Sequence, residues 1–195
     1  EHMSVLDDLK LQYKIGGVAQ KLIFVNVAIF IFCLFAFYSS QAKLFFYPNW
    51  LVINSNWDIF LKTPWTLFTY LFIHSSFLHL FFNMMVLYFA GRLFTTYFTE
   101  KQLFGLFVLG GLFSGFVYLV SFSLVNRESQ LAGASGAIMA ILIATATYAP
   151  YMIVRLALIG RVKLWQLALV LVVLDLIQTP IENSGGHLAH LGGAL

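Results

Sequence analysis

The chain has 195 residues, of which 61% are apolar and only 10% are charged, whereas about a quarter of the residues in a soluble domain are charged. This composition excludes an ordinary soluble globular protein, and the net charge of +3 is too small for a surface that binds nucleic acid. The single cysteine, Cys33, excludes an intramolecular disulfide and a cysteine-rich metal site. We therefore expect a membrane protein with no room for a sizeable soluble domain.

The first part of the chain leads into an apolar segment. Residues 1–3 resemble a cloning scar and are set aside. Residues 4–21 are polar to amphipathic, and we assign them to the cytoplasm. Leu22 to Tyr38 is nearly all apolar and, with its flanking residues, long enough to cross a bilayer core of about 30 Å. We predict a transmembrane domain over residues 22–195 that begins with this span.

Residues 39–73 combine aromatic side chains with breaks in the apolar pattern. Trp50, Trp57 and Trp65 are spaced through the segment, which also contains Pro48 and Pro64. Tryptophan is enriched where the bilayer meets water. The segment therefore predicts a structured first loop that lies at the membrane interface rather than an ordinary surface loop.

Four further apolar segments follow this loop. The predicted spans are Phe77 to about Phe98, Leu103 to Leu124, Ser135 to Ala149 and Leu164 to Ile177. We expect Gly91-Arg92 to break the first of these near its end. The segment that begins at Ser135 is short and rich in alanine, which is typical of a central helix surrounded by protein.

A sixth helix is predicted to begin at His187 and reaches only Leu195, which is too short for a span. We therefore expect that part of this helix is missing. The predicted fold class is an all-α membrane protein with six transmembrane helices, the sixth truncated.

The basic residues predict the orientation of these spans, because cytoplasmic segments are enriched in Lys and Arg. With the N-terminus inside, eight basic residues fall on the inner side and three on the outer side. The inner residues are Lys10, Lys14, Lys21, Arg92, Lys101, Arg155, Arg161 and Lys163, and the outer ones are Lys43, Lys62 and Arg127. The second, fourth and sixth spans then all begin on the outer side.

Polar residues gather at the starts of these three spans. His79 and Asn83 lie one helical turn apart in the second span, Ser135 begins the fourth, and His187 and His190 lie in the sixth. Polar side chains at membrane depth usually face a bundle interior and mark function. Taken singly, each could serve packing, since glycine, serine and histidine also occur at helix contacts. Three converging helix starts favour a functional site.

A serine and a histidine suffice for a nucleophile and its base. No acid is placed to orient a histidine, because Asp175 lies in the fifth span and Glu182 in a loop. A Ser–His dyad is therefore favoured over a triad. His79, Asn83 and the Ser135 backbone N–H could donate to an oxyanion.

These motifs together resemble those of the rhomboid intramembrane serine proteases. The resemblance extends from about Trp65 to the end of the chain and is highly specific. Its motifs, in order, are Pro64-Trp65 with Phe68-Thr69, His74 followed by His79 and Asn83, Gly91-Arg92, Gly133-Ala134-Ser135-Gly136, and Ala189-His190-Leu191-Gly192-Gly193.

The resemblance implies a role for most of these residues. Ser135 would be the nucleophile and His190 the general base, and the oxyanion hole would consist of His79, Asn83 and the Ser135 N–H. Close helix packing at the site would fall to Gly133, Gly136 and Gly193. His74 would have a structural or hydrogen-bonding role, and His187 none in catalysis.

The resemblance also implies the setting of the reaction. The substrates would be transmembrane proteins cut near the outer face of a membrane, and no cofactor or metal would be needed. Size and the lack of further domains favour a bacterial cytoplasmic membrane. The sequence departs from the family pattern at Thr66, Thr95 and Met139, where an arginine, a glutamate and an aromatic residue are common.

Two other readings stay open. A catalytically silent member of the same fold could bind or escort membrane clients, although such proteins typically lose the serine or the histidine. A metal site could be built from His74, His79, His187 and His190, but the His-Glu-x-x-His pattern of zinc proteases is absent.

Overall fold

The computed structural model describes residues 4–41, 44–125, 128–156, 160–178 and 184–195. Helices dominate these residues, and six very short strands pair with one another. The helices are α1 (Val5–Ile15), α2 (Val18–Phe37), α3 (Trp57–Phe60), α4 (Thr66–Thr69), α5 (Phe77–Phe94), α6 (Glu100–Val125), α7 (Ser135–Tyr148), α8 (Leu164–Gln178) and α9 (Ser184–Ala194). The strands are β1 (Tyr38–Ser39), β2 (Leu44–Phe45), β3 (Ile53–Asn54), β4 (Gln130–Leu131), β5 (Ile153–Leu156) and β6 (Gly160–Lys163).

Three of the helices in the described part of the chain are long and apolar enough to cross a membrane. They cover Val18–Phe37, Phe77–Phe94 and Glu100–Phe122, and shorter apolar helices cover Ser135–Tyr148 and Leu164–Val173. The first three predicted spans are thereby confirmed.

The first span, α2, begins four residues before the predicted start. The cause is a contact with a distant residue, which the apolar pattern of the sequence does not show. The N-cap of α2, Gly17, has no side chain to satisfy the first backbone N–H groups. Glu100, in the first turn of α6, instead accepts from the Val18 N–H at 2.7 Å. A carboxylate is favoured beside the positive end of a helix dipole, so a contact between distant segments sets where α2 begins.

The predicted break at Gly91-Arg92 is wrong. Helix α5 continues through both residues to Phe94, and Thr95 caps its end by donating its hydroxyl to the Gly91 carbonyl at 2.9 Å. A Cβ atom at Gly91 would lie only 2.6 Å from the Cβ of Ala19 in α2. The glycine therefore permits close packing between two spans instead of ending one.

The short helix α7 lies at the centre of the bundle, as its composition predicts. Its buried side includes Ala137, Ile138, Ala140 and Ile141, and it packs against α5, α6 and α9. Small side chains let the backbones of these neighbours come close. The first residue of this enclosed helix is Ser135.

The prediction of an all-α fold needs one correction, because three antiparallel pairs of short strands accompany the helices. Strands β1 and β2 pair within the first loop, and β5 and β6 form a hairpin between α7 and α8. Strand β3 pairs with β4, so that Ile53 faces Leu131 and Asn54 faces Gln130. Two-residue strands whose partner lies far along the chain leave no periodic pattern to recognise.

The first loop is ordered, as expected, and its tryptophans lie at its surface. Trp50 and Trp65 are each 52% exposed, and the indole N–H of Trp65 donates to the Trp50 carbonyl at 2.9 Å. Large exposed aromatic side chains on a fixed loop suit the interface between bilayer and water. The loop also carries α3, α4 and a 3₁₀ turn over Tyr70–Phe72, which leads toward α5.

Candidate active site

Ser135 lies at the end of a tight turn that opens α7. Ala134 has helical backbone angles (φ −79°, ψ −4°) and precedes the helix directly. Gly133 has a φ of +128°, a region that L side chains rarely adopt. The Gly133 N–H donates to the Tyr70 carbonyl in the first loop at 2.9 Å. The turn thereby presents a half-buried serine at a helix N-terminus, where backbone N–H groups have no partner within the helix.

His79 covers this turn. A Cβ atom at Gly133 would lie 2.9 Å from both Cε1 and Nε2 of the His79 ring, and 3.8 Å from Ser135 Oγ. The missing side chain of Gly133 is therefore what allows the imidazole to lie beside the serine. Although the sequence predicts that Gly133 serves helix packing, the residue lies outside α7 and contacts a side chain.

The hydrogen bonds of His79 indicate its tautomer. The backbone N–H of Ser75 donates to Nδ1 at 3.4 Å, and Ser75 Oγ lies 3.0 Å from the same nitrogen. A backbone N–H can only donate, so Nδ1 is the acceptor and the proton of a neutral ring is assigned to Nε2. Nε2–H lies on the side of the ring that faces the serine turn.

Asn83 lies one turn further along α5 and is only 7% exposed. Its Nδ2 donates to the His79 carbonyl at 2.9 Å. An amide nitrogen carries two hydrogens, so one donor remains for another acceptor. The bond within the helix keeps the amide on the face that it shares with His79.

His190 reaches the same region from α9. It is partly buried, and its imidazole lies within electrostatic range of that of His79. A Cβ atom at Gly193 would overlap the carbonyl oxygen of Gly136 and lie 2.8 Å from its carbonyl carbon. The backbones of α7 and α9 therefore touch one residue after Ser135 and three residues after His190. The structure brings Ser135, His79 and His190 into one region.

Comparison with known proteins assigns this arrangement to a family. A sequence model of the rhomboid domain matches residues 61–195, well over half of the chain. The chain belongs to the rhomboid family. In a search of curated proteins, none matched. The match includes every site residue described above, whereas α2 and most of the first loop precede it.

Membership of the rhomboid family makes this an integral membrane protein with the core of an intramembrane protease-like family. The lipid bilayer is its environment, and its long helices carry many exposed apolar side chains. Leu78, Phe81 and Met85 of α5, for example, are each at least half exposed in the isolated chain. Such a surface is stable only against lipid or another apolar partner.

The second histidine of the rhomboid motif, His74, lies beside the site and is sealed from solvent. It is 1% exposed, and its ring meets that of His79 edge-on at a centroid distance of 5.1 Å. Burial, together with the neighbouring His79 imidazole, lowers the pKa of His74 to about 3. His74 is therefore neutral at physiological pH and serves as a packing partner of the His79 ring.

Of the three departures from the rhomboid pattern, Thr66 and Thr95 form local hydrogen bonds. Thr66 is fully buried and donates its hydroxyl to the Thr63 carbonyl at 2.7 Å, within the first loop. Thr95 ends α5, and Met139 is 9% exposed within α7. The hydroxyl of Thr66 thus bonds to a residue only three positions earlier, whereas the longer side chain of an arginine could reach a more distant partner.

Sequence reasoning missed three residues that shape the site: Tyr70, Ser75 and Ser114. Tyr70 accepts a hydrogen bond from the Gly133 N–H with its backbone carbonyl. Because every residue type has a carbonyl, nothing in the sequence signals this contact. Ser75 contacts Nδ1 of His79, and the four-residue spacing between the two residues was the available signal of this contact. Ser114 had been noted only as one of several small residues in the third span. Its hydroxyl donates to the Ala189 carbonyl in α9 at 2.5 Å.

Several predicted residues cannot be placed. Residues 1–3, Lys43, Arg127 and Glu182 lie outside the described residues, and so do the side chains of Asp175 and His187. Within the described part of the chain, no group of three His, Cys, Asp or Glu residues is placed to hold a metal ion.

Proposed function

We propose that this rhomboid protein is an intramembrane serine protease in which Ser135 is the nucleophile and His190 is the general base. One observation carries the proposal. Ser135 opens the buried helix α7 beneath the ring of His79, and His190 approaches from α9 across a glycine contact. Family membership supports peptide hydrolysis as the reaction.

The chemistry needs only groups that this chain supplies. Ser135 Oγ would attack the carbonyl carbon of the scissile peptide bond while His190 takes its proton. The tetrahedral intermediate carries its negative charge on the former carbonyl oxygen. His190 would then give the proton to the departing amine, which leaves an acyl-enzyme ester on Ser135. A water molecule, deprotonated by the same histidine, would release the acid and restore the serine.

Three donors would stabilise the oxyanion. The Ser135 N–H lies at the positive end of the α7 dipole. The Nε2–H of His79 faces the same turn because Nδ1 is the acceptor for the Ser75 N–H. Asn83 would supply its second amide hydrogen. Losing one such donor costs about 10²–10³ in rate.

We also propose the setting that the sequence predicts. Six helices, α2 and α5 to α9, would form the transmembrane bundle, with the site near the outer face of a bacterial cytoplasmic membrane. The N-terminus, here residues 4–21, would lie in the cytoplasm, consistent with the surplus of basic residues assigned to that side. The substrates would be transmembrane segments of other proteins that unwind easily, because a peptide bond inside a helix is shielded.

The decisive experiment is cleavage of a reconstituted transmembrane substrate by the full-length protein and by its Ser135→Ala variant. The wild type should cleave, and the variant should not. Ser4→Ala is the matched control, because Ser4 caps α1 outside the matched rhomboid domain. Cleavage that persists in Ser135→Ala would remove the serine from its role. An inactive wild type that a serine-reactive fluorophosphonate does not label would favour the silent scaffold.

A further inference from the structure

Ser114, in the middle of α6, forms a hydrogen bond to a neighbouring helix. Its side chain is fully buried, and its hydroxyl donates to the carbonyl of Ala189 in α9 at 2.5 Å. Ala189 immediately precedes His190. We propose that Ser114 is a positioning residue that sets where His190 stands relative to Ser135; this inference rests on the proposed function.

The hydroxyl also touches the helix that carries the nucleophile. A Cβ atom at Gly136 would overlap Ser114 Oγ, and it would lie 2.7 Å from Ser114 Cβ and 3.1 Å from the Ala189 carbonyl oxygen. Gly136 directly follows Ser135. Ser114 therefore occupies the space that this glycine leaves open, and it joins α6, α7 and α9 at one point.

The surroundings of Ser114 explain why a directional bond is needed there. Gly136 and Gly193 bring α7 and α9 together backbone against backbone, and a Cβ atom at Gly192 would lie 3.2 Å from Ser114 Cα. Glycine surfaces permit close approach but have no side chains to interlock. Such a contact sets how closely two helices approach but supplies no side-chain hydrogen bond that fixes one helix relative to the other. The hydrogen bond to Ala189 supplies one at the residue next to the base.

Catalysis is sensitive to such a displacement. A shift of about 1 Å in a reacting group can cost about 10²-fold in rate. Ala189 lies in the interior of α9, where its carbonyl also has the N–H of Gly193 as a helical partner by position. Losing the Ser114 bond therefore leaves the carbonyl satisfied and the helix intact, while the position of the helix is less defined.

The test compares Ser114→Ala with a control that loses a buried hydroxyl of another kind. Thr145 is also fully buried, and its hydroxyl donates to the Ile141 carbonyl of its own helix at 2.7 Å. Thr145→Val removes that hydroxyl at nearly constant volume. Both variants are made in the full-length protein, with wild type and Ser135→Ala beside them. The readouts are kcat and KM for a reconstituted transmembrane substrate, the rate of labelling by a fluorophosphonate, and the thermal unfolding midpoint.

We expect Ser114→Ala to lower kcat and the labelling rate together, by about 10- to 100-fold, with KM unchanged. Thr145→Val should leave both rates within about twofold of wild type, because its bond lies within one helix and does not set the position of a reacting group. Ser114→Cys keeps a weak S–H donor, and it is the second variant in case alanine prevents folding. Its labelling rate should lie several-fold below that of wild type.

Two results would overturn the proposal. In the first, Ser114→Ala, or Ser114→Cys in its place, labels and cleaves like the wild type. In the second, Ser114→Ala and Thr145→Val lose activity and unfolding midpoint in parallel, which is a general packing effect. Labelling of Ser135→Ala at the wild-type rate would instead contradict the proposed function itself, so the two failures are distinguishable.

Discussion

Two regions hold the candidate nucleophile from opposite sides, and they do so by different means. Before Ser135, the first loop binds residues 128–133 through several polar contacts. After Ser135, α7 is held between α6 and α9 by glycines and by one buried hydroxyl. The first region depends on several hydrogen bonds, and the second depends on close contact between helix backbones.

The polar contacts form a ladder between the first loop and the segment that leads to Ser135. Besides the pairing of β3 with β4, the Ser55 N–H donates to the Ser129 carbonyl at 3.0 Å, and the Ser129 N–H donates to Ser55 Oγ at 2.9 Å. Gln130 Nε2 donates to Asn49 Oδ1 at 2.8 Å. Folding exchanges bonds to water for each of these bonds, so each contributes only about 0.5–1.5 kcal/mol.

The buried contacts tolerate less change. Gly136, Gly192 and Gly193 are buried, and the backbone atoms opposite a glycine cannot move as a flexible side chain can. The difference suggests that single substitutions should be severe at the helix junction and mild in the ladder. Two predictions test this contrast, and a third concerns the turn at Gly133, which lies between the two regions and contacts the His79 ring.

The largest effect is expected for Gly193→Ala. The added Cβ would overlap the Gly136 carbonyl, so α7 and α9 must separate. Overpacking of this kind costs about 1–3 kcal/mol of stability, and displacement of the base should lower the cleavage rate by at least about 100-fold. Thermal unfolding and cleavage of a reconstituted substrate measure both effects.

Gly105→Ala is the matched control for that variant, because it lies in α6 and a Cβ there would meet nothing within 4 Å. Alanine is the better helix former, by about 1 kcal/mol. The control should be as active as wild type and at least as stable. If Gly193→Ala and Gly105→Ala lost equal activity and stability, close contact between α7 and α9 would not be the role of Gly193.

A somewhat smaller effect is expected for Gly133→Ala. Its φ of +128° is strained for alanine, and the new Cβ would lie 2.9 Å from the His79 ring. We expect a loss of about 10²-fold in cleavage rate, comparable with the loss of one oxyanion donor.

Gly160→Ala separates backbone strain from the contact with His79. Gly160 also has a positive φ, of +89°, but a Cβ there would meet nothing within 4 Å. Both variants should lose stability by roughly 1–2 kcal/mol, and only Gly133→Ala should lose activity. A Gly133→Ala enzyme with full activity would contradict the position of His79 described above.

The smallest effect is expected in the ladder. Gln130→Ala removes one donor to Asn49 Oδ1 at an exposed position, whereas Asn49→Ala also removes the acceptor of Asn54 Nδ2. Since the remaining ladder contacts persist, we expect cleavage by Gln130→Ala to fall by less than about fivefold, the equivalent of one net hydrogen bond. Cleavage assays on Asn49→Ala and Gln130→Ala, with the double variant, would measure it. A loss as large as that of Gly193→Ala would erase the contrast between the two regions.

Much of the fold could be predicted because a bilayer imposes local rules. A span must be apolar along its whole length, so α2, α5 and α6 are visible in the sequence. The alanines of α7 predicted its central place for a similar reason. The motifs around His79, Ser135 and His190 identified the family that the comparison with the rhomboid domain confirms.

Other features depend on partners far along the chain and left no local signal. The start of α2 depends on Glu100, and the continuity of α5 at Gly91 depends on Ala19. Gly133 looks like its neighbour Gly136 in the sequence, yet one contacts a histidine ring and the other a serine and a helix backbone. Residue type alone does not distinguish a glycine that permits a turn from one that permits helix contact.

The sequence by itself therefore determined the membrane class, the three long spans and the family, because these depend on composition and on residue types at short spacing. Only the tertiary structure decided that Nδ1 of His79 is an acceptor and that the first loop accepts a hydrogen bond from the turn before Ser135. It also decided that Ser114 of α6 donates to Ala189, the residue before His190. Each of these rests on the distance between particular atoms, and that distance is set by how the helices pack rather than by any one of them.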